Sequence, residues 1–215
     1  MVTIIITGGT LNEEFACQFL KEHPWDALIA ADRGLKFCYE QKIQPDYIIG
    51  DYDSIEREIV TYYREQSHAE VETYHAEKDA TDTQIALEKA LYLESDTIYI
   101  LGALGGRMDH GLANIQLLNL ALEEGAEAYL ADEHNMIRLI DRPETIRKEK
   151  QMGKYVSFLP FTDRVDGVTL QGFKYPLNDY TMVKGSSIGV SNEIEQEEAS
   201  VTFDSGVLLM IQSRD

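Results

Sequence analysis

Ile48-Ile49-Gly50-Asp51-Tyr52-Asp53-Ser54 ends an apolar run at a glycine and then places two carboxylates one residue apart. Successive side chains on an extended chain point to opposite faces, so Asp51 and Asp53 are expected to leave a strand end on the same side. Two like charges held together call for a cation. Magnesium suits them, because it takes hard oxygen ligands and often only one or two carboxylates plus the oxygens of a polyphosphate. The same stretch reads equally as a turn rich in turn formers, with Asp53 or Ser54 capping a helix that starts near Glu56.

Upstream of this stretch the chain repeats one pattern. Residues 2–7 form a short β-branched run that breaks at Gly8-Gly9, as a buried parallel strand does before a loop. Asn12 then suits an N-cap, with Phe15, Ala16, Phe19 and Leu20 on one helical face. The next unit has a strand over 27–31, the loop Asp32-Arg33-Gly34 and a helix over 35–41, and the acidic stretch closes a third strand over 47–49.

Downstream, a helix over 56–64 and a strand over 71–74 lead to Glu77-Lys78-Asp79-Ala80-Thr81-Asp82. Thr81 and Gln84 have the spacing of a capping box, and Asp82 suits the first turn of the helix that follows for its dipole. Capping leaves Lys78 and Asp79 unexplained, since they stand just outside it where a strand-to-helix crossover opens. A strand over 97–101 then ends in Gly102-Ala103-Leu104-Gly105-Gly106-Arg107-Met108-Asp109-His110-Gly111, before a helix expected to turn Leu112, Ile115, Leu118 and Leu122 to the core. Glycines between a strand and a helix let backbone approach a phosphate closely, and Arg107 could neutralise that phosphate bidentately. The spacing matches neither the dinucleotide fingerprint nor the Walker loop, and a tight turn with Asp109 as N-cap is the competing reading.

Residues 126–131 supply a last strand of this kind, and beyond His134 the character changes. Short strands over 136–140, 155–159, 167–170, 180–183 and 206–212, separated by Gly, Pro and Asn-Asp turn signals, indicate an all-β sandwich or barrel. The expected fold class is therefore α/β. A mostly parallel, Rossmann-like domain over 1–134 precedes a smaller β-sandwich domain over 135–215.

Composition narrows the function. A chain of 215 residues that is 44% hydrophobic can bury a sizeable core, and 38 acidic against 19 basic residues give a net charge of −19. That charge argues against a sequence-independent grip on nucleic acid or anionic membrane, and is compatible with a cationic small substrate. Cys17 and Cys38 sit in apolar helical patterns with no disulfide or zinc spacing. The start of the chain lacks the basic opening of a signal peptide and no apolar run reaches membrane-spanning length, so a cytoplasmic protein is expected. His23, His68, His75 and His134 show no ligand spacing, whereas His110 beside Asp109 could orient a phosphate or cap a helix.

Four motifs in their order resemble one family. Asp32-Arg33-Gly34, Pro45-Asp46 with Gly50-Asp51-Tyr52-Asp53-Ser54, Lys78-Asp79-Ala80-Thr81-Asp82 and Gly105-Gly106-Arg107-Met108-Asp109-His110 together look like thiamine pyrophosphokinase. Ser191-Asn192, in glycine- and serine-rich surroundings, resembles that family's thiamine-side motif. Each motif is modest alone, and their joint order spans essentially the whole chain. The resemblance implies transfer of diphosphate from ATP to the thiamine hydroxyl, releasing AMP, with Mg2+. It also implies a homodimer with its active site at the subunit interface. On that reading Asp51, Asp53, Asp79 and Asp82 form the catalytic acidic centre, with Asp51, Asp53 and Asp79 on the metal. Asp32, Arg33, Gly34, Thr81, Gly105, Gly106, Arg107, Asp109 and His110 would lie along the nucleotide, and Ser187, Ser191 and Asn192 near thiamine. Two other classes stay open at this point: a non-catalytic nucleotide- or thiamine-binding module, and a magnesium-dependent phosphotransferase acting on another alcohol.

Overall fold

The computed structural model describes residues 1–52, 55–73 and 80–215, and the chain divides into two compact units, Met1–Glu133 and His134–Asp215. The first unit carries β1 (Val2–Ile6), α1 (Glu13–Glu22), β2 (Ala27–Ala31), α2 (Gly34–Glu40), β3 (Tyr47–Gly50), α3 (Arg57–Gln66), β4 (Glu70–Thr73), α4 (Asp82–Tyr92), β5 (Thr97–Leu101), α5 (Met108–Glu123) and β6 (Glu127–Ala131). Its strands lie side by side in the order β6-β5-β1-β2-β3-β4, every neighbouring pair parallel. Covering a parallel sheet on both faces demands uninterrupted apolar strands, and all five residues of β2 are buried while Ile4, Ile5 and Ile6 of β1 are fully so.

The helices follow from their caps and stripes. Asn12 accepts the Phe15 amide at 3.0 Å and starts α1, whose Ala16, Phe19 and Leu20 are buried. Phe19 meets the Tyr99 ring of β5 edge-on at 5.2 Å, which fastens α1 to the sheet. Cys38 of α2 is buried as a small apolar group, its thiol pushed up to about 12 by burial. On α5 the buried stripe is Asn114, Leu118 and Ala121, and Leu112 is 57% exposed rather than in the core. Leu118 is buried as the helical wheel expects and Ile115 and Leu122 are half-buried, so the core face is turned by about a quarter turn toward Asn114 and Ala121.

Along the sheet the chain steps outward from β1 through β2 and β3 to β4, then returns to the other side of β1 for β5 and β6. Right-handed crossovers then send the connections after β1 and after β5 in opposite directions. Between their carboxyl ends a crevice opens, the usual place for a ligand in an open parallel sheet.

Edge strand β4 is held by a charge cluster. Lys89 of α4 donates to Glu72 at 2.6 Å, lies 3.5 Å from Glu70 and sits over the Tyr47 ring at 4.4 Å. Its side chain is 14% exposed, so the pair is screened less than a surface one. The Glu72 contact holds the ammonium above the ordinary lysine range. A folded-state value raised in this way gives stability that is complete below about pH 10.4 and is lost as pH climbs through the higher folded value. Lys89→Met is expected to cost about 2 kcal/mol at neutral pH, since it removes the ammonium that donates to Glu72. Urea melts of the variant should also show a shallower alkaline decline than those of the parent.

The second unit carries β7 (Asn135–Ile140), β8 (Glu144–Arg147), β9 (Tyr155–Pro160), β10 (Arg164–Gln171), β11 (Leu177–Val183), β12 (Asn192–Glu193), β13 (Glu198–Thr202) and β14 (Leu208–Ser213). These make two antiparallel arrays, β12-β9-β14-β7 and β11-β10-β13-β8. Val156, Phe158, Leu208 and Met210 from the first array and Val165, Val168, Leu170 and Val201 from the second share one buried cluster. Among the described residues no helix of either unit is long and apolar enough to cross a membrane.

Candidate active site

The crevice at the carboxyl ends of the parallel strands is a cleft of about 660 Å³, and its walls come from the loops after β1, β2, β3 and β5 and the starts of α4 and α5. The loops after β1 and β5 touch backbone to backbone: a Cβ added at Gly9 would lie 2.2 Å from the Gly102 carbonyl oxygen. Only a residue with no side chain permits that approach. Thr10 follows directly, and its side chain borders the positions of Gly105 and Gly106, both of which have positive φ, 81° and 69°.

Several sequence-predicted residues meet in this cleft. Asp32, Arg33, Asp51, Thr81, Asp82, Gly105, Gly106, Arg107 and His110 all line it, although they are spread over some eighty positions of sequence. Asp32 is half-buried at φ 48°, with its amide donating to the Ile49 carbonyl at 3.0 Å. Asp51 is half-buried and is the first residue past β3. Asp53, Ser54, Lys78 and Asp79 lie outside the described residues.

Some local readings need correction. Extended alternation is not what orients the acidic stretch, because Tyr52 has φ 61° and the strand has already ended at Gly50. Glu56 occupies the N-cap of α3 and makes no side-chain cap hydrogen bond, while the two residues expected to cap it, Asp53 and Ser54, lie outside the described residues. Thr81 caps α4 as expected, accepting the Gln84 amide at 3.2 Å, but the Gln84 side chain donates to Glu88 at 2.9 Å and leaves the box half made. Asp109 is not an N-cap: Arg107 holds that position and Asp109 lies in the first turn of α5. Gly34 and Asp109 are not among the residues lining the cleft.

Electrostatically the cleft is mixed. Its lining brings the acidic residues Asp32, Asp51 and Asp82 together with Arg33, Arg107 and the amino-terminal end of α4, where first-turn amides favour an anion. Arg107 forks onto Asp109 at 3.1 Å and 2.5 Å, which holds that carboxyl below the usual carboxylate range and raises the guanidinium. Both partners are exposed, so the pair is a sleeve for the side chain rather than a source of stability.

Asn114, Thr10 and Thr83 line the cleft and escaped the sequence reading altogether. Asn114 is 6% exposed on the buried stripe of α5 and donates to the Ala103 carbonyl at 2.8 Å, fixing the loop after β5. A polar residue in phase with Leu118 and Ala121 was the available signal. Thr7, Gly8 and Gly9 also line the cleft, where the sequence had shown only the end of a strand.

In the second unit, Ser187 and Ser191 are exposed and Asn192 is buried. Ser191 has φ 56° and its amide donates to the Ser157 hydroxyl at 2.9 Å. The Asn192 carboxamide accepts the amides of Tyr175 at 2.9 Å and Glu193 at 3.0 Å and donates to the Tyr175 carbonyl at 2.8 Å. It works as an internal clamp that fixes the loop on which Ser191 stands.

Among the described residues no group of three or more acidic, histidine or cysteine side chains is gathered tightly enough to hold a metal alone. Magnesium does not require one, because one or two carboxylates and phosphate oxygens suffice. Asp32, Asp51 and Asp82, which line the cleft, carry carboxylate oxygens of the kind such an ion takes.

Comparison with known proteins places the chain. The family model described as "Thiamin pyrophosphokinase, catalytic domain" matches residues 19–130, and that described as "Thiamin pyrophosphokinase, vitamin B1 binding domain" matches residues 144–208. The chain belongs to the thiamin pyrophosphokinase family. A curated thiamine pyrophosphokinase of Bacillus subtilis (strain 168) is 37% identical over 190 residues, covering 87% of each chain. The crystal structure of the Bacillus subtilis thiamine pyrophosphokinase superposes with a TM-score of 0.90 at 33% identity over the whole of both chains. That of the Geobacillus thermodenitrificans thiamin pyrophosphokinase gives 0.86 at 32% identity, over 100% of this chain and 98% of that one. The thiamin pyrophosphokinase catalytic match contains the cleft residues from Asp32 to Asn114, and the vitamin B1 binding match contains Ser187, Ser191 and Asn192.

Proposed function

We propose that this chain transfers the terminal diphosphate of ATP to the hydroxyl of thiamine, giving thiamine diphosphate and AMP. The observation that carries the reading is the cleft itself, where acidic, glycine-rich and cationic segments distant in sequence converge at the strand ends. Attack by an alcohol on the β-phosphorus, with AMP leaving opposite, needs charge offset, the nucleophile aligned and water kept out. The exposed glycines Gly105 and Gly106 and the start of α4 at Thr81 suit the polyphosphate, with Arg107 neutralising part of its charge. Asp32, Arg33, Gly34, Asp109 and His110 belong to the nucleotide side on this reading, Gly34 by shaping the loop and Asp109 by steadying Arg107.

Asp51, with Asp53 and Asp79, would hold Mg2+, which when bound supplies positive charge to the polyphosphate. Asp82 adds to the acidic wall. That wall also suits the positive thiazolium ring of thiamine. Ser187 and Ser191 make the thiamine side, with Asn192 fixing their loop. The architecture is a Rossmann-like domain followed by a β-sandwich, working in the cytoplasm as a homodimer that completes its thiamine site at the subunit interface. The test is incubation of the purified chain with ATP, Mg2+ and thiamine. AMP formed only when thiamine is present is the expected result; ADP, or no turnover, overturns the reading.

A further inference from the structure

Tyr52 stands beside Asp51 in a backbone conformation that an aromatic residue rarely adopts, φ 61°. Such a conformation persists where its surroundings over-determine it. The Tyr52 hydroxyl is 2.8 Å from the Glu72 carbonyl of edge strand β4 and 3.2 Å from the Ile48 carbonyl of β3, donating between the two. The Arg64 guanidinium of α3 lies 5.7 Å from the centre of its ring. Glu72 meanwhile gives its carboxylate to Lys89 of α4. A single edge residue thus ties the turn bearing Asp51 through its backbone and the helix bearing Asp82 through its side chain.

We infer that Tyr52 is a positioning residue whose hydroxyl latches the turn after β3 onto β4 and so aims the Asp51 carboxylate into the cleft. On the other flank stands Gly50, the last residue of β3, whose backbone is registered with Thr73 of β4 and which brings no side chain to the turn. With φ at 61°, the Tyr52 hydroxyl reaches carbonyls of both β3 and β4 while the preceding residue, Asp51, lines the cleft. This inference rests on Asp51 serving a cation as proposed above, and its test is chosen to fail separately from that reading.

The decisive variant is Tyr52→Phe, which keeps the ring and removes only the latch. Binding of Mn2+ in the presence of α,β-methylene-ATP, followed by electron paramagnetic resonance, should weaken about tenfold, and kcat should fall about tenfold with KM for thiamine within about twofold. The melting temperature should stay within about 3 °C. Wild-type Mn2+ affinity in the variant overturns the inference, as does a lowered melting temperature with binding unchanged, or a parent chain that binds no Mn2+. A parent chain that binds Mn2+ yet forms no AMP sinks the proposed reaction alone, and the Mn2+ titration still decides the latch.

Discussion

Asp51→Asn should lower thiamine-dependent AMP formation by about a thousandfold while moving the melting temperature by no more than about 2 °C. The magnitude follows from what the substitution removes. Asn keeps the shape and one oxygen of the side chain but loses the charge, and a neutral amide is a poor ligand for a hard divalent cation beside a polyphosphate. Asp51 sits at the end of β3, half-buried and on the wall of the cleft, so its charge acts where water screens it less than at the surface. The strand beneath it does not depend on that charge: Ile48 and Ile49 are buried and paired on both sides by β2 and β4. Turnover in saturating Mg2+ is the measurement that separates a lost ligand from a weakened one. Near-normal rates there would remove Asp51 from the site, and a large fall in melting temperature would reassign it to the fold.

Much of this arrangement could be read from residue types, and the parts that could not share a physical cause. Parallel strands buried on both faces must be apolar throughout, so runs such as Ala27-Leu28-Ile29-Ala30-Ala31 declare themselves. In the second unit β13 escaped notice because it follows the acidic run Glu195-Gln196-Glu197-Glu198 and buries only Ala199 and Val201, two residues at a spacing of two. Strand β8 is shorter still, with Ile146 alone buried. A two-residue alternation is too brief to stand out when its pairing partners are distant in sequence. At the site, the kinds of residue were legible but not their local geometry. Asp51 was singled out on the premise of an extended chain, whereas Tyr52 turns left-handed beside it through contacts with β4 that no local pattern encodes. Asn114 was hidden for the opposite reason, as a polar residue placed where the helical period calls for an apolar one.

Gly34 has a packing requirement that is separate from any place along the nucleotide. The resemblance set it along the nucleotide, but the structure buries it at the first position of α2, against the end of β1. A Cβ added there would lie 2.0 Å from the Ile6 carbonyl oxygen and 2.6 Å from its carbon. Those are backbone atoms of the central strand, with Ile6 fully buried and registered against Ala30 and Leu101, so neither side can give way by a change of rotamer. Gly34→Ala should therefore cost about 3 kcal/mol or more and lower the melting temperature by about 10 °C. The loop Asp32-Arg33 leading into α2 would be displaced along with the helix, but no atom facing the ligand is removed. At a temperature where the variant is still folded, KM for ATP should thus rise less than about threefold. The opposite pattern, a parent-like melting temperature with ATP binding lost, would return Gly34 to the nucleotide and would mean that the backbone contact with β1 is more yielding than its burial implies.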